Sequence, residues 1–201
     1  MTSPVEQLAS ALTATLADRT RRSPEASRPP ATGWHPGARI GATAARGALA
    51  AYHDSGAAGI CVLQDGRGVW LNTQSAERSW DFARRPYAVW QWTPSYNGQP
   101  TWLIGALAPG AARVELVRED GGVGRADVVD RTFAVEMEID MVTLRDAKAR
   151  LEATESTSAE GRAEFEKLLS ESRAEMSKVR VRVYDDADAL LYDGPSISSD
   201  D

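Results

Sequence analysis

The chain has 201 residues, of which 42% are hydrophobic and 26% are charged, as is typical of globular proteins with a substantial core. Its formal net charge of −6 argues against nucleic-acid binding. No apolar run reaches the roughly 20 residues that span a bilayer. We therefore expect that the protein does not bind nucleic acid and does not span a membrane.

The single cysteine, Cys61, excludes an internal disulfide and multi-cysteine zinc sites, and it fits a reducing compartment. No Lys or Arg precedes Arg19, and the N-terminal segment lacks the unbroken apolar region of a signal peptide. We therefore expect a cytoplasmic protein.

The chain begins with a predicted short helix. Ser3-Pro4-Val5-Glu6 is a capping box with proline at the first helical position. The apolar stripe of this helix consists of Val5, Leu8, Leu12 and Leu16. Residues 1–18 are thus predicted as an amphipathic helix, tethered by a Pro/Arg/Ser-rich linker at residues 19–37. So short a helix is marginal in water by itself, so it needs a surface on which to dock.

The next segments are predicted mostly as strands. Residues 43–53 are rich in Ala and Gly and favour a weak helix. Beyond them the hydrophobic pattern has a period of two, which is typical of strands. The strands predicted from it are 60–64, 69–73, 87–92, 101–107, 112–119, 123–129, 132–139, 179–183 and 189–192. In the strand at 132–139, the face with Phe133, Val135, Met137 and Ile139 is predicted to be buried, and the face with Ala134, Glu136 and Glu138 to be solvated.

Seven to nine short strands separated by turns indicate a mainly β protein with helical additions. We predict an antiparallel β-sandwich, immunoglobulin-like or barrel-like, spanning residues 38–194 and followed by an acidic tail at 195–201. The immunoglobulin likeness is one of strand pattern only, because the chain has no Cys…Trp…Cys spacing.

A helical period interrupts the strands between residues 141 and 178. Residues 142–153 and a second stretch that follows a capping box at 157–160 predict an αα-hairpin inserted into the sandwich. The apolar stripe of the second helix includes Phe165, Leu168, Leu169 and Met176. This stripe would either bind a protein partner or a second copy of the chain, or cover the protein's own sheet.

Five of the six tryptophans lie between residues 70 and 102. Because successive strand residues point to opposite faces, Trp90 and Trp92 are predicted to share one face. A regular turn at Asn97-Gly98 pairs Trp92 with Leu103, and a broader loop pairs it with Thr101. Either register places Trp102 on the other face, toward the core. The aromatic rings are predicted to pack in the core; if one face is instead exposed, Trp90, Trp92 and Tyr96 form the candidate ligand-binding patch. A β-bulge that altered the register would change this division.

Residues suited to catalysis are few. The sequence contains no phosphate-binding loop, dinucleotide fingerprint or zinc-protease motif, so we expect no cofactor and no metal. His53 and Cys61 suggest a nucleophile–base pair, but the apolar setting of Cys61 favours a buried structural cysteine. The acidic run at residues 185–193 lacks the ligand order of an EF-hand, which favours a solvated turn.

These patterns lead to three functional hypotheses. The first is a non-enzymatic interaction protein, structural or adaptor-like, that acts through the helical hairpin and the N-terminal helix. The second is a sandwich that binds a small molecule or a glycan through Trp90, Trp92 and Tyr96. The third is a hydrolase built on His53 and Cys61.

Overall fold

A computed structural model describes residues 2–22, 28–41, 44–93, 100–139, 142–153 and 158–197. In these ranges the protein is mainly β, with twelve strands in three antiparallel four-stranded sheets and four helices. Each described sheet is open, with two edge strands, so the barrel-like form of the prediction is wrong. No helix within the described residues is both long and apolar enough to cross a membrane.

Sheet A is a meander of consecutive strands. It comprises β1 (Trp34–Ile40), β2 (Arg46–His53), β3 (Ala58–Gln64) and β4 (Arg67–Gln74). Strand β1 begins inside the segment that was predicted as a linker. The helix predicted at 43–53 is wrong, because β2 occupies this region and pairs with β1 on one side and β3 on the other. The helix propensity of alanine is a weak preference, and two ladders of backbone hydrogen bonds override it.

Sheets B and C are built from the rest of the chain. Sheet B has the order β5 (Tyr87–Thr93), β6 (Thr101–Leu107), β10 (Thr132–Met137), β9 (Asp127–Val129). Sheet C has the order β12 (Leu190–Pro195), β11 (Arg180–Asp185), β7 (Ala111–Val117), β8 (Val123–Arg125). The strand predicted at 123–129 is therefore divided at Ala126, where the chain passes from sheet C to sheet B.

Sheet B contributes to two hydrophobic clusters, one with each of the other sheets. The cluster shared with sheet A contains Ala38, Ile40, Ala48, Ala50, Ala58, Ile60, Trp90, Ile104, Ala106 and Ala134. The cluster shared with sheet C contains Tyr87, Leu103, Leu107, Val114, Leu116, Phe133, Val135, Met137, Val179, Val181 and Val183. The solvated face predicted for the strand at 132–139 is therefore wrong at Ala134, which packs toward sheet A with only 1% of its surface exposed.

Helix α1 (Pro4–Arg22) lies against sheet A. The predicted capping box is confirmed, since Ser3 N donates to Glu6 Oε2 at 2.8 Å and Glu6 N donates to Ser3 Oγ at 3.3 Å. The hydrogen bonds that the backbone N–H and the hydroxyl of Ser3 donate to the Glu6 carboxylate lower the pKa of Glu6. The helix continues to Arg22, beyond the predicted end at residue 18. Its apolar face packs with the second face of sheet A in a cluster of Leu8, Ala11, Leu49, Ala51, Cys61, Leu63 and Leu71.

Three further helices complete the described chain: α2 (Ala76–Ser79), α3 (Val142–Glu152) and α4 (Ala159–Lys178). Helices α3 and α4 contact each other and lie between β10 and β11 in the chain. The cap of α4 is Ser158, whose side chain accepts a hydrogen bond from Gly161 N at 2.9 Å. This cap lies one residue after the predicted one, and residue 157 is outside the described residues.

Candidate functional site

A β-bulge decides how the tryptophans are arranged. Trp92 pairs with Leu103 and Thr93 with Trp102, as predicted, but the register of β5 and β6 shifts between Val89 and Gln91. The extra residue is Trp90, which packs with sheet A, whereas Trp92 packs against the clusters that involve sheet C and helices α3 and α4. The prediction that Trp90 and Trp92 share a face is therefore wrong, because one inserted residue reverses the alternation of side chains.

Of the two predicted ligand-binding residues that the structure describes, Trp90 and Trp92, only Trp92 has a substantial part of its ring exposed. Trp90 is only 5% exposed, and its Nε1 donates to Ser79 O at 2.6 Å. Tyr96 lies outside the described residues. Trp92 is half-buried and lines a cavity of about 720 Å³ at the edge of sheet B.

We call this cavity the arginine cleft. Its walls are the end of β4, helix α2 with the loop after it, and the edge strand β5. The lining residues are Thr73, Gln74, Ser75, Arg78, Asp81, Arg84, Arg85, Ala88, Val89, Trp90 and Trp92. The cleft thus joins elements of sheets A and B that are separated by the α2 segment in the chain.

Hydrogen bonds to β5 and sheet A fix the wall that carries Arg78. Ser79, the last residue of α2, accepts from the Trp90 indole through its carbonyl oxygen. The Trp80 indole donates to Gly56 O at 2.6 Å, and its ring meets that of Trp90 edge-on at 5.4 Å. The Gln74 amide also donates to Trp90 O. These contacts hold helix α2 against β5 and so determine where Arg78 lies.

The charged side chains of the cleft are mainly cationic. Arg78, Arg84 and Arg85 line it together with one carboxylate, Asp81, in a chain whose net charge is −6. Arg78 is exposed and makes no hydrogen bond or ion pair with any residue that the structure describes. Arg85 is held over the Tyr87 ring at 4.6 Å, and its Nε donates to Tyr87 O at 3.3 Å. Guanidinium groups in such a cluster are suited to binding carboxylate or phosphate oxygens.

No known protein family matches this chain, and neither does any curated protein or solved structure. The function must therefore be inferred from the chemistry of the sites themselves.

The structure does not bring His53 and Cys61 together, and Cys61 is buried, as the favoured interpretation of a structural cysteine predicted. Cys61 pairs with Leu49, four residues before His53 in β2, which is roughly 13 Å along the strand. His53 Nε2 lies 2.9 Å from Thr32 O, which can only accept, so His53 Nδ1 is the acceptor for Ser55 N at 3.0 Å. Burial raises the pKa of the Cys61 thiol to about 12, so this cysteine is protonated at neutral pH.

The acidic segment at residues 185–193 forms the turn between β11 and β12 and its flanking residues. Asp185 Oδ1 accepts from Ala187 N at 2.9 Å and from Ala189 N at 2.8 Å. Asp188 binds Arg113 Nη2 at 3.0 Å. Among the residues that the structure describes, no group of three or more His, Cys, Asp and Glu side chains could hold a metal ion.

The predicted partner-binding stripe on α4 is divided between the interior and the surface. Leu168 and Met176 pack with Leu144, Ala147 and Ile197 and are 8% and 0% exposed. They are therefore not available to a partner in this conformation. Leu169 is half-buried, and Phe165 is 49% exposed.

The sequence reasoning missed the three arginines of the cleft. Their local signal is modest: an arginine pair directly before Pro86, and Arg78 a few residues earlier. Their common location depends on the contact between α2 and β5, which the sequence pattern does not show.

Proposed function

We propose that the protein is a binding module that holds a small anionic ligand in the arginine cleft. The observation that carries the proposal is the set of three guanidinium groups around a cavity of about 720 Å³, in a chain that is acidic as a whole. This is the small-molecule hypothesis of the sequence analysis, with Trp92 retained and with Arg78, Arg84 and Arg85 in place of Trp90 and Tyr96.

The chemistry of the cleft defines the class of ligand. Guanidinium groups bind carboxylates and phosphates with charge-assisted hydrogen bonds, which are stronger than neutral ones. The half-buried Trp92 ring offers a flat apolar surface for a planar group. A ligand that joins an anionic group to a planar body uses both features.

The scaffold in this proposal is an antiparallel β-sandwich, supported by the apolar clusters on both faces of sheet B. It carries α3 and α4 as an inserted helical hairpin. Helix α1 docks on sheet A in this scheme, and the predicted linker becomes a short connection between α1 and β1. A preformed cleft at the sheet edge then needs little reorganisation to bind its ligand.

Phenyl phosphate is a suitable probe, because it combines a phosphate with an aromatic ring. We expect it to bind the native protein and the Arg78→Ala variant to bind it about tenfold more weakly, which corresponds to the loss of one charge-assisted hydrogen bond. Isothermal titration calorimetry at low salt measures both affinities. The matched control is Arg67→Ala, which removes an exposed arginine of β4 that does not line the cleft.

Equal weakening by Arg78→Ala and Arg67→Ala would show that the probe senses only the general charge of the surface. Absence of binding to the native protein would also contradict the proposal. Inorganic phosphate separates the contribution of the anionic group from that of the aromatic ring. It should bind more weakly than phenyl phosphate, and Trp92→Leu should not change its affinity.

A second candidate function is that of an interaction protein, which the exposed Phe165 ring favours. In this proposal Phe165, together with the half-buried Leu169, contacts a second copy of the chain or another protein. We expect Phe165→Ser to weaken self-association about tenfold in sedimentation equilibrium, as loss of an aromatic anchor does. Val5→Ser, which alters another exposed apolar residue, in α1, is the control. A native protein that stays monomeric at all concentrations would exclude the self-association form of this candidate.

A further inference from the structure

A second cavity, of about 270 Å³, lies between sheets A and B. Ala48, Ile60 and Val62 line it from sheet A, and Gln91 and Trp102 line it from sheet B. Arg46, an exposed residue at the start of β2, also borders the cavity. This space is separate from the arginine cleft, since the two sets of lining residues have no member in common.

The polar groups around this cavity are unequally satisfied. The Gln91 amide donates to Thr93 Oγ1 at 3.1 Å, so these two side chains bind each other. The Nε1–H of Trp102 is buried and has no acceptor among the described residues. The Arg46 guanidinium makes no hydrogen bond or ion pair with a described residue. No aspartate or glutamate lines the cavity.

The buried indole N–H of Trp102, the exposed Arg46 guanidinium and the apolar walls together define the class of ligand that suits the cavity. A buried N–H without a partner is costly, so a ligand that supplies an acceptor gains more there than in water. The apolar walls favour an aliphatic body, and the positive charge of Arg46 favours an anionic acceptor.

We propose that this cavity binds a small amphipathic carboxylate, with its aliphatic body between sheets A and B. A carboxylate oxygen accepts a hydrogen bond from Trp102 Nε1, and Arg46 attracts the negative charge. The site is independent of the arginine cleft, and neither Arg78 nor Trp92 takes part in it.

Octanoate tests this proposal through the indole N–H signals in ¹H–¹⁵N spectra of the full chain. Loss of one signal in Trp102→Phe assigns the Trp102 indole among the six tryptophans. We expect octanoate to shift this signal downfield in a saturable manner. 1-Octanol, which has the same body without the charge, should bind about tenfold more weakly.

Three variants locate the binding. Val62→Phe fills the cavity and should abolish the saturable shift, whereas Val69→Phe, the same substitution at an exposed position of β4, should leave it unchanged. Arg46→Gln should weaken the binding of octanoate about fivefold or more without altering the affinity for 1-octanol. Arg78→Ala should have no effect, which separates this site from the arginine cleft.

Either of two results overturns the proposal. One is a Trp102 signal that octanoate does not move up to its solubility limit. The other is equal loss of binding in Val62→Phe and Val69→Phe, because this would show adsorption to the surface. The melting temperature of each variant, measured in parallel, identifies any loss of binding that reflects unfolding.

Discussion

The Gly68→Val variant is expected to lose the docking of helix α1 and to be about 3 kcal/mol less stable than the native protein. A Cβ atom at residue 68 would lie 1.8 Å from Gln7 O, which is backbone and cannot move aside like a flexible side chain. The helix must therefore shift as a unit. In doing so it would break the bonds from Ser10 Oγ to Gly68 O at 2.8 Å and from Leu71 N to Thr15 Oγ1 at 2.8 Å.

Cys61 reports directly on this change, because it is the one cysteine of the chain and lies beneath α1. In the native protein it is buried and its pKa is raised to about 12, so alkylation by iodoacetamide near pH 8 should be slow. We expect Gly68→Val to accelerate alkylation at least tenfold and to lower the urea midpoint. Val69→Ala, at the exposed neighbouring position, should change neither. Unchanged alkylation in Gly68→Val would contradict the docked position of α1.

Truncation of Trp90 to alanine is expected to lower the free energy of unfolding by about 4 kcal/mol, as is usual for large buried aromatic side chains. The substitution removes a ring that is 5% exposed and leaves the carbonyl oxygen of Ser79 without its donor. Trp92→Ala should lower the free energy of unfolding by less, about 2 kcal/mol, because Trp92 is half-buried and water already reaches part of its ring.

Urea unfolding followed by circular dichroism compares the two variants. Trp90→Phe serves as the control, since it retains most of the packing and removes the hydrogen bond to Ser79 O. The stability of Trp90→Phe should lie between that of the native protein and that of Trp90→Ala. Similar costs for Trp90→Ala and Trp92→Ala are the result that a regular strand without a bulge would produce, and they would contradict the register described above.

Local features were predictable from the sequence. The strands predicted at 60–64 and 69–73 form a hairpin, but its turn is only Asp65-Gly66, with φ values of 49° and 74°, because β4 already begins at Arg67. The Ser3–Glu6 capping box formed where its spacing indicated. Of the two registers that the sequence allowed for this pair of strands, the structure has the one that pairs Trp92 with Leu103.

Features that depend on distant segments were not predictable in this way. The alanine-rich β2 satisfies a helix pattern and a buried strand equally well, and its partners β1 and β3 decide the outcome. Ala134 looked like a residue of a solvated face, but it is the small side chain that packs toward sheet A. The bulge at Trp90 leaves no sign in the alternation of residues 87–92.

The sequence by itself determined the mainly β character, most strand positions, the helices α1, α3 and α4, and local features such as the Ser3–Glu6 capping box. These depend on hydrogen bonds and side-chain periods within a few residues of each other. The tertiary structure alone decided the three-sheet arrangement, the opposite directions of Trp90 and Trp92, and the gathering of Arg78, Arg84 and Arg85 around one cleft. The physical reason is that these features arise from packing between segments far apart in the chain, where a shift of one residue exchanges the buried and exposed faces of a strand.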